Sequence, residues 1–167
     1  MMESVVTKGE LLSRLAREHA QFEAVLAQLT AQECLAPGVV GEWSIKDVLA
    51  HLIAHEQRAL LELQAAQQGA RVVIDHEAAD HFNADAVTSR RAESYEAVRA
   101  AWDASYRAVE SAVEALSDAD FAATSLVVTT LEDSIDGALA NNTYEHYAEH
   151  GRQIEQWRQR SQPSTSA

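Results

Sequence analysis

Apolar residues return every three or four positions through four long stretches of this chain, and that period constrains its fold more than any other feature. The spacing draws an apolar stripe along one side of a helix, and such a stripe has to be buried against another element. Only six glycines and two prolines punctuate the 167 residues, so the stretches run long. The first is predicted from Thr7 to about residue 31, with Leu11, Leu15, Phe22, Leu26 and Leu29 on its stripe and His19 among them. Thr7 and Glu10 form its capping pair. A connector from Cys34 to Glu42 follows, where Pro37, Gly38 and Gly41 resist helix continuation. The second helix is capped by Ser44 with Asp47, carries Ile45, Leu49, Leu52, Leu60 and Leu63, and ends near Gly69. The third runs from Ser94 to about Leu116 on Tyr95, Val98, Trp102, Tyr106, Val109, Val113 and Leu116. The fourth begins near Ser134 or Asp136 and continues to about Arg160 through Ile135, Leu139, Thr143, His146, His150, Ile154 and Trp157.

Two long connectors separate these helices. Residues 70–92 read as a crossover containing Val72-Val73-Ile74 and a short helical piece between His81 and Arg91, anchored by Phe82 and Val87. His76 and His81 read there as exposed or loop-packed. Residues 121–133 carry Val127, Val128, Thr129 and Thr130, whose β-branched side chains predict a brief extended connector. The expected architecture is all-α: a four-helix bundle with long crossover connections, forming one domain over 1–160 with a disordered tail over 161–167.

Composition narrows the partners. The formal charge is −13, and the basic residues Arg90-Arg91 and Arg152, Arg158 and Arg160 lack the aromatic interleaving of a strand-binding groove, which argues against nucleic acid. A single cysteine, Cys34, excludes an intramolecular disulfide and suits a reducing cytosol. No apolar run is long enough for a membrane span, and Met1-Met2-Glu3-Ser4 lacks the features of a signal peptide, so a cytoplasmic protein without a membrane partner is expected. Long helices offer faces for a homodimer, although no residue fixes an interface.

The informative residues are polar ones on apolar stripes. His146 and His150 occupy core positions of the fourth helix at i and i+4, where two imidazoles stand one above the other. His51 and His55 lie along the flank of the second helix's apolar arc, and Glu56 points to its centre. Three neutral imidazoles with one open position make a site for zinc, nickel, cobalt or ferrous iron. His51, His146 and His150 are the first choice, although spacing alone favours His55 slightly over His51 or leaves them tied, and satisfied histidines in an interhelical cavity are the competing reading. The run Glu145-His146-Tyr147-Ala148-Glu149-His150 lacks the His-Glu-x-x-His register of zinc proteases, and its two glutamates face outward, where either could orient an imidazole. Cys34 has only nominal basic partners, Ser44 reads as a cap, and Trp43, Trp102 and Trp157 read as core anchors.

Two segments, Gly41-Glu42-Trp43-Ser44-Ile45-Lys46-Asp47-Val48-Leu49-Ala50-His51-Leu52 and Asn142-Thr143-Tyr144-Glu145-His146-Tyr147-Ala148-Glu149-His150, resemble the DinB-like superfamily, and within it the ClbS/DfsB group. The resemblance runs from Thr7 to about Trp157. It implies a four-helix bundle with a long crossover and a divalent metal held by His51, His146 and His150. The superfamily includes thiol-dependent isomerases and transferases, whereas the ClbS/DfsB group is similar to self-resistance proteins that bind or hydrolyse reactive genotoxic metabolites, not always with a metal. That group commonly has Trp-Glu after the second-helix motif, and here His55-Glu56 keeps the acid alone. The expected function is therefore a metal-dependent hydrolase or thiol-dependent transferase acting on a small reactive molecule, with Glu56 as the catalytic proton carrier. The alternative is a non-catalytic or metal-independent protein that binds such a molecule.

Overall fold

The computed structural model describes residues 6–73 and 78–161, and the regular elements among them are helices. Helices α1, α3 and α5 start where a side chain replaces the missing partner of an exposed backbone amide. Helix α1 (Lys8–Leu26) opens on the Thr7–Glu10 capping box, and the short α2 (Ala31–Leu35) on the same device from Thr30 and Glu33. Helix α3 (Ile45–Gln67) is capped by Ser44, whose Oγ accepts from the Asp47 amide at 3.2 Å while Asp47 Oδ2 accepts from the Ser44 amide at 2.9 Å. Just before this cap, Val40 and Trp43 bridge antiparallel across Gly41, whose φ of +55° suits a residue without a Cβ. Helix α4 (Ala79–Ser89) lies in the crossover, and α5 (Tyr95–Ala115) is capped by Ser94.

Four long helices close into a bundle. Helix α3 packs on α5, and α1 on the last helix, α8 (Tyr144–Ser161); contacts of α1 with α5 and of α3 with α8 complete the ring. Leu11, Leu15 and Phe22 from α1 meet Leu49, Leu52 and Ile53 from α3, Val98, Trp102 and Val113 from α5, and Tyr147 and Ile154 from α8 in one core. This is the all-α, DinB-like bundle with crossovers. No helix among the described residues is long and apolar enough to cross a membrane.

The structure departs from the sequence pattern in the connectors. Cys34 lies in α2, not in coil, and is buried. The β-branched run 127–130 falls inside a helix, α6 (Leu126–Leu131), not an extended segment. Ser125 Oγ accepts from the Val128 amide at 3.1 Å, Thr129 Oγ1 donates to the Ser125 carbonyl at 2.6 Å, and Val127 is buried as α6 packs on α3. Tertiary burial overrides a weak local preference here. Glu132, with φ of +57°, ends α6, and its carboxylate takes both ends of the Arg71 guanidinium, at 2.5 and 2.8 Å.

The fourth predicted helix is two. Helix α7 (Ile135–Ala140) stops at a turn in which the Asn142 amide donates to the Leu139 carbonyl and the Thr143 amide to the Ala140 carbonyl. Thr143 is fully buried, and its hydroxyl donates to the Leu139 carbonyl at 2.7 Å. Helix α8 then begins at Tyr144 and reaches Ser161, the first residue of the predicted tail; residues 162–167, Ile74 and His76 lie outside the described residues. His81 is exposed on α4.

Ser44→Ala removes one half of the buried capping box of α3 and is expected to lower stability by about 1 kcal/mol, read as a lower denaturation midpoint at unchanged slope.

Candidate metal centre

Helices α3 and α8 each present two histidines one turn apart, and packing of the two helices sets the four rings beside one another. The centroid of His51 is 5.1 Å from that of His146 and 5.2 Å from that of His150, and His146 and His150 are 5.5 Å apart with nearly parallel rings. One nitrogen from each of the three lies within 4.8 Å of the others. His51 and His150 are buried and His146 is half-buried. Nδ1 of His51, Nδ1 of His146 and Nε2 of His150 are buried without a hydrogen-bond partner among the described residues.

Burial decides the protonation of these rings. It pushes His51 down to about 2 and His146 to about 3, with repulsion from the neighbouring histidines adding to it. Burial lowers His150 as well, against a hydrogen bond with Gln153 that acts in the opposite direction. The rings are thus neutral near pH 7 and offer lone pairs. Buried polar atoms are ordinarily paired, and three unpaired imidazole nitrogens in one place fit a cation that prefers nitrogen donors, such as zinc, nickel, cobalt or ferrous iron.

His55 stands beside this group with its own nitrogens engaged. Nδ1 is 2.9 Å from Asn142 Oδ1 and Nε2 is 3.1 Å from Asn83 Oδ1, while its ring lies 4.4 Å from that of His51 and 4.5 Å from that of His146. The turn before α8 supplies Asn142 and the crossover helix supplies Asn83. Hydrogen bonding distinguishes the two rings: among the described residues His51 has a buried nitrogen without a partner and His55 has none. Trp43, from the bridge preceding α3, lies with its ring 5.1 Å from the His51 ring.

Glu56 sits apart from the three histidines. It is completely buried, and its Oε1 accepts from Trp102 Nε1 at 3.0 Å and from the Tyr147 hydroxyl at 2.5 Å. No histidine among the described residues is a hydrogen-bond partner of Glu56. Burial raises its carboxyl to about 7, against lowering by Ser105, Tyr147 and Trp102, although Ser105 Oγ and Glu56 Oε2 both lack a well-formed hydrogen bond. Beyond Trp102, His19 lies flat between aromatic rings, 3.6 Å from Tyr106 and 4.7 Å from Trp102, and burial lowers it to about 4. His19, Glu23 and Asp103 also come within 4.8 Å of one another, but Arg99 forms ion pairs with both carboxylates and supplies the positive charge itself.

Glu145 and Glu149 are exposed, as their outward register requires, and Glu149 accepts from Gln153 Nε2 at 3.2 Å. Burial raises the Cys34 thiol, which makes it a poor nucleophile. Sequence reasoning missed Asn83, Asn142 and Gln153. For Gln153 there was a signal, since it stands three residues beyond His150 and so on the same helix face.

Residues 15–155 match the protein family described as "Mycothiol maleylpyruvate isomerase N-terminal domain". No curated protein matches the sequence. Solved structures share the fold at low identity. A protein of Streptococcus pneumoniae aligns with a TM-score of 0.80 at 10% identity, over 97% of this chain and 96% of its own. The colibactin self-resistance protein ClbS, solved in complex with double-stranded DNA, gives 0.79 at 13%, over 95% and 98%. An uncharacterised protein of Escherichia coli UTI89 gives 0.75 at 15%, over 96% and 97%. Identities this low show the fold alone. The ClbS complex overturns the exclusion of nucleic acid drawn from charge and composition, because duplex DNA binds a protein of this fold. Net charge sums over a whole surface, whereas a phosphate backbone meets only one part of it.

The raised Glu56 carboxyl leaves a pH signature. Between its unfolded value of 4.5 and its folded value of about 7 the folded chain keeps a proton that the unfolded chain has released, so this group's stabilisation falls as pH rises through that window. Glu56→Gln is expected to remove that fall, gaining up to about 3 kcal/mol over the wild type above pH 7 relative to the difference at pH 4. Denaturation midpoints of the two proteins across pH 4–8 check it.

Proposed function

The chain belongs to the mycothiol maleylpyruvate isomerase N-terminal domain family, and from that premise we propose that it binds a small reactive molecule at a divalent-metal centre held by His51, His146 and His150. The observation that carries the proposal is the set of three buried, unpartnered ring nitrogens on facing helices. A divalent ion held by His51, His146 and His150 would supply Lewis acidity toward an electrophile, a thiol or water. The chain's own residues do the rest. Neutral His51, His146 and His150 present lone pairs, Trp43 packs beside His51, and the Asn83–His55–Asn142 bridge fixes the wall beside them. Glu56, its carboxyl raised to about 7 by burial, accepts from the hydroxyl of Tyr147, the residue next to His146, so its part is to position α8.

The family's name favours a thiol-dependent isomerisation or transfer, with a low-molecular-weight thiol as the second reactant. The fold likeness to ClbS favours a second reading, in which a reactive molecule is bound and kept from its target without turnover. Metal analysis of protein purified without a histidine tag is expected to find one ion per chain, with occupancy falling at least tenfold in His51→Ala and His146→Ala. Wild-type protein that takes up no metal even after supplementation overturns the centre. Incubation with an electrophile and a thiol then separates the two readings: turnover lost on chelation marks the transferase, and saturable binding without product marks the resistance protein.

A further inference from the structure

We propose that Gln153 is a positioning residue that locks His150 in the tautomer protonated on Nδ1, leaving the Nε2 lone pair free, and that Glu149 sets this lock by orienting the Gln153 amide. His150 Nδ1 lies 2.7 Å from Gln153 Oε1, one turn further along α8. A glutamine amide can turn either end toward a ring nitrogen, so this contact by itself does not place the proton. The other end decides. Gln153 Nε2 lies 3.2 Å from Glu149 Oε1, and an ionised carboxylate only accepts. The amide NH2 therefore faces Glu149, the carbonyl faces His150, and a carbonyl requires the ring to donate from Nδ1. Because a neutral imidazole has one N–H, Nε2 is left as an acceptor.

The surroundings of Nε2 agree. This atom is buried and has no hydrogen-bond partner, so the opposite tautomer would enclose an N–H that finds no acceptor among the described residues. That tautomer would also turn the amide carbonyl toward the Glu149 carboxylate. The lock is contained within one helix: Glu149 and Gln153 are i and i+4, and His150 and Gln153 are i and i+3, so the α8 backbone alone brings the three together. His51 and His146 differ, since each has a buried Nδ1 without a partner. His150 is thus the one of the three histidines with an outer polar partner orienting it through Nδ1, the arrangement that raises the basicity of a ligating imidazole. The exposed Glu149 carboxylate orients the amide from its outer side by accepting from Gln153 Nε2.

The tautomer assignment stands on hydrogen bonding alone, while its consequence for metal affinity rests on the centre proposed above. Long-range 1H–15N NMR of the metal-free protein reads the tautomer directly. His150 is expected to show the Nδ1–H form in the wild type and to lose that preference in Gln153→Leu; an Nε2–H form in the wild type overturns the assignment. Zinc competition against a chromophoric chelator is expected to show about 10- to 100-fold weaker binding for Gln153→Leu and affinity within about threefold of wild type for Gln153→Glu, whose carboxylate still accepts from Nδ1. Unchanged helical circular dichroism certifies that each variant is folded. Zinc affinity unaltered in Gln153→Leu but lost in His146→Ala overturns the role of Gln153 and leaves the centre standing. A wild type that binds no zinc overturns the centre, and the NMR result still decides the tautomer.

Discussion

Helix α3 has to be covered on nearly every side, and the rest of the molecule is arranged by that need. Ile45, Val48, Leu49, Leu52, Ile53, Ala59 and Leu63 are all buried, and they point in too many directions for one partner to cover. Helices α5 and α8 take two sides, and α2, α4, α6 and α7 pack on what remains. The short helices of the connectors are therefore lids on α3 as much as links between long helices. His51 and Glu56, polar residues of α3, are enclosed by the same covering. His51 and His55 meet α8 on one side, and Glu56 meets Trp102 and Tyr147 on another.

Two polar groups a few residues apart on α3 thus meet opposite fates. Glu56 is surrounded by donors from α5 and α8 and its carboxyl is raised, while His51 is surrounded by other imidazoles and its ring is lowered. Both shifts come mainly from desolvation, which disfavours charge of either sign. The difference lies in what desolvation leaves behind: a carboxyl held by a phenol and an indole, and an imidazole lone pair beside two more.

The four stripes and their capping residues were readable because both are local. Thr7, Ser44 and Ser94 sit where a side chain must accept from an amide three residues on, and Leu11, Leu49 or Val113 keep one face whatever the tertiary structure. His51, His146 and His150 were readable for the same reason, as polar residues on otherwise apolar faces. What escaped was set by contacts distant in sequence. Val127 is helical because α3 buries it, and the choice between His51 and His55 depends on Asn83 and Asn142, which spacing within α3 cannot place. The enclosure of Glu56 needed Trp102 and Tyr147 to arrive from two other helices.

The turn at residues 141–143 has a further meaning for how this chain tolerates change. An unbroken helix transmits every inserted or deleted residue along its length as a rotation of about 100°. Had the stretch from Ile135 to Ser161 been one helix, its histidines would have been tied to the angular setting of Ile135 and Leu139. With the helix interrupted at Thr143, the facing of His146 and His150 starts afresh at Tyr144, where it is fixed by Tyr147 and Ile154 against the core. The segment that packs α7 beneath α3 and the segment that carries the histidines can therefore vary in length independently of each other.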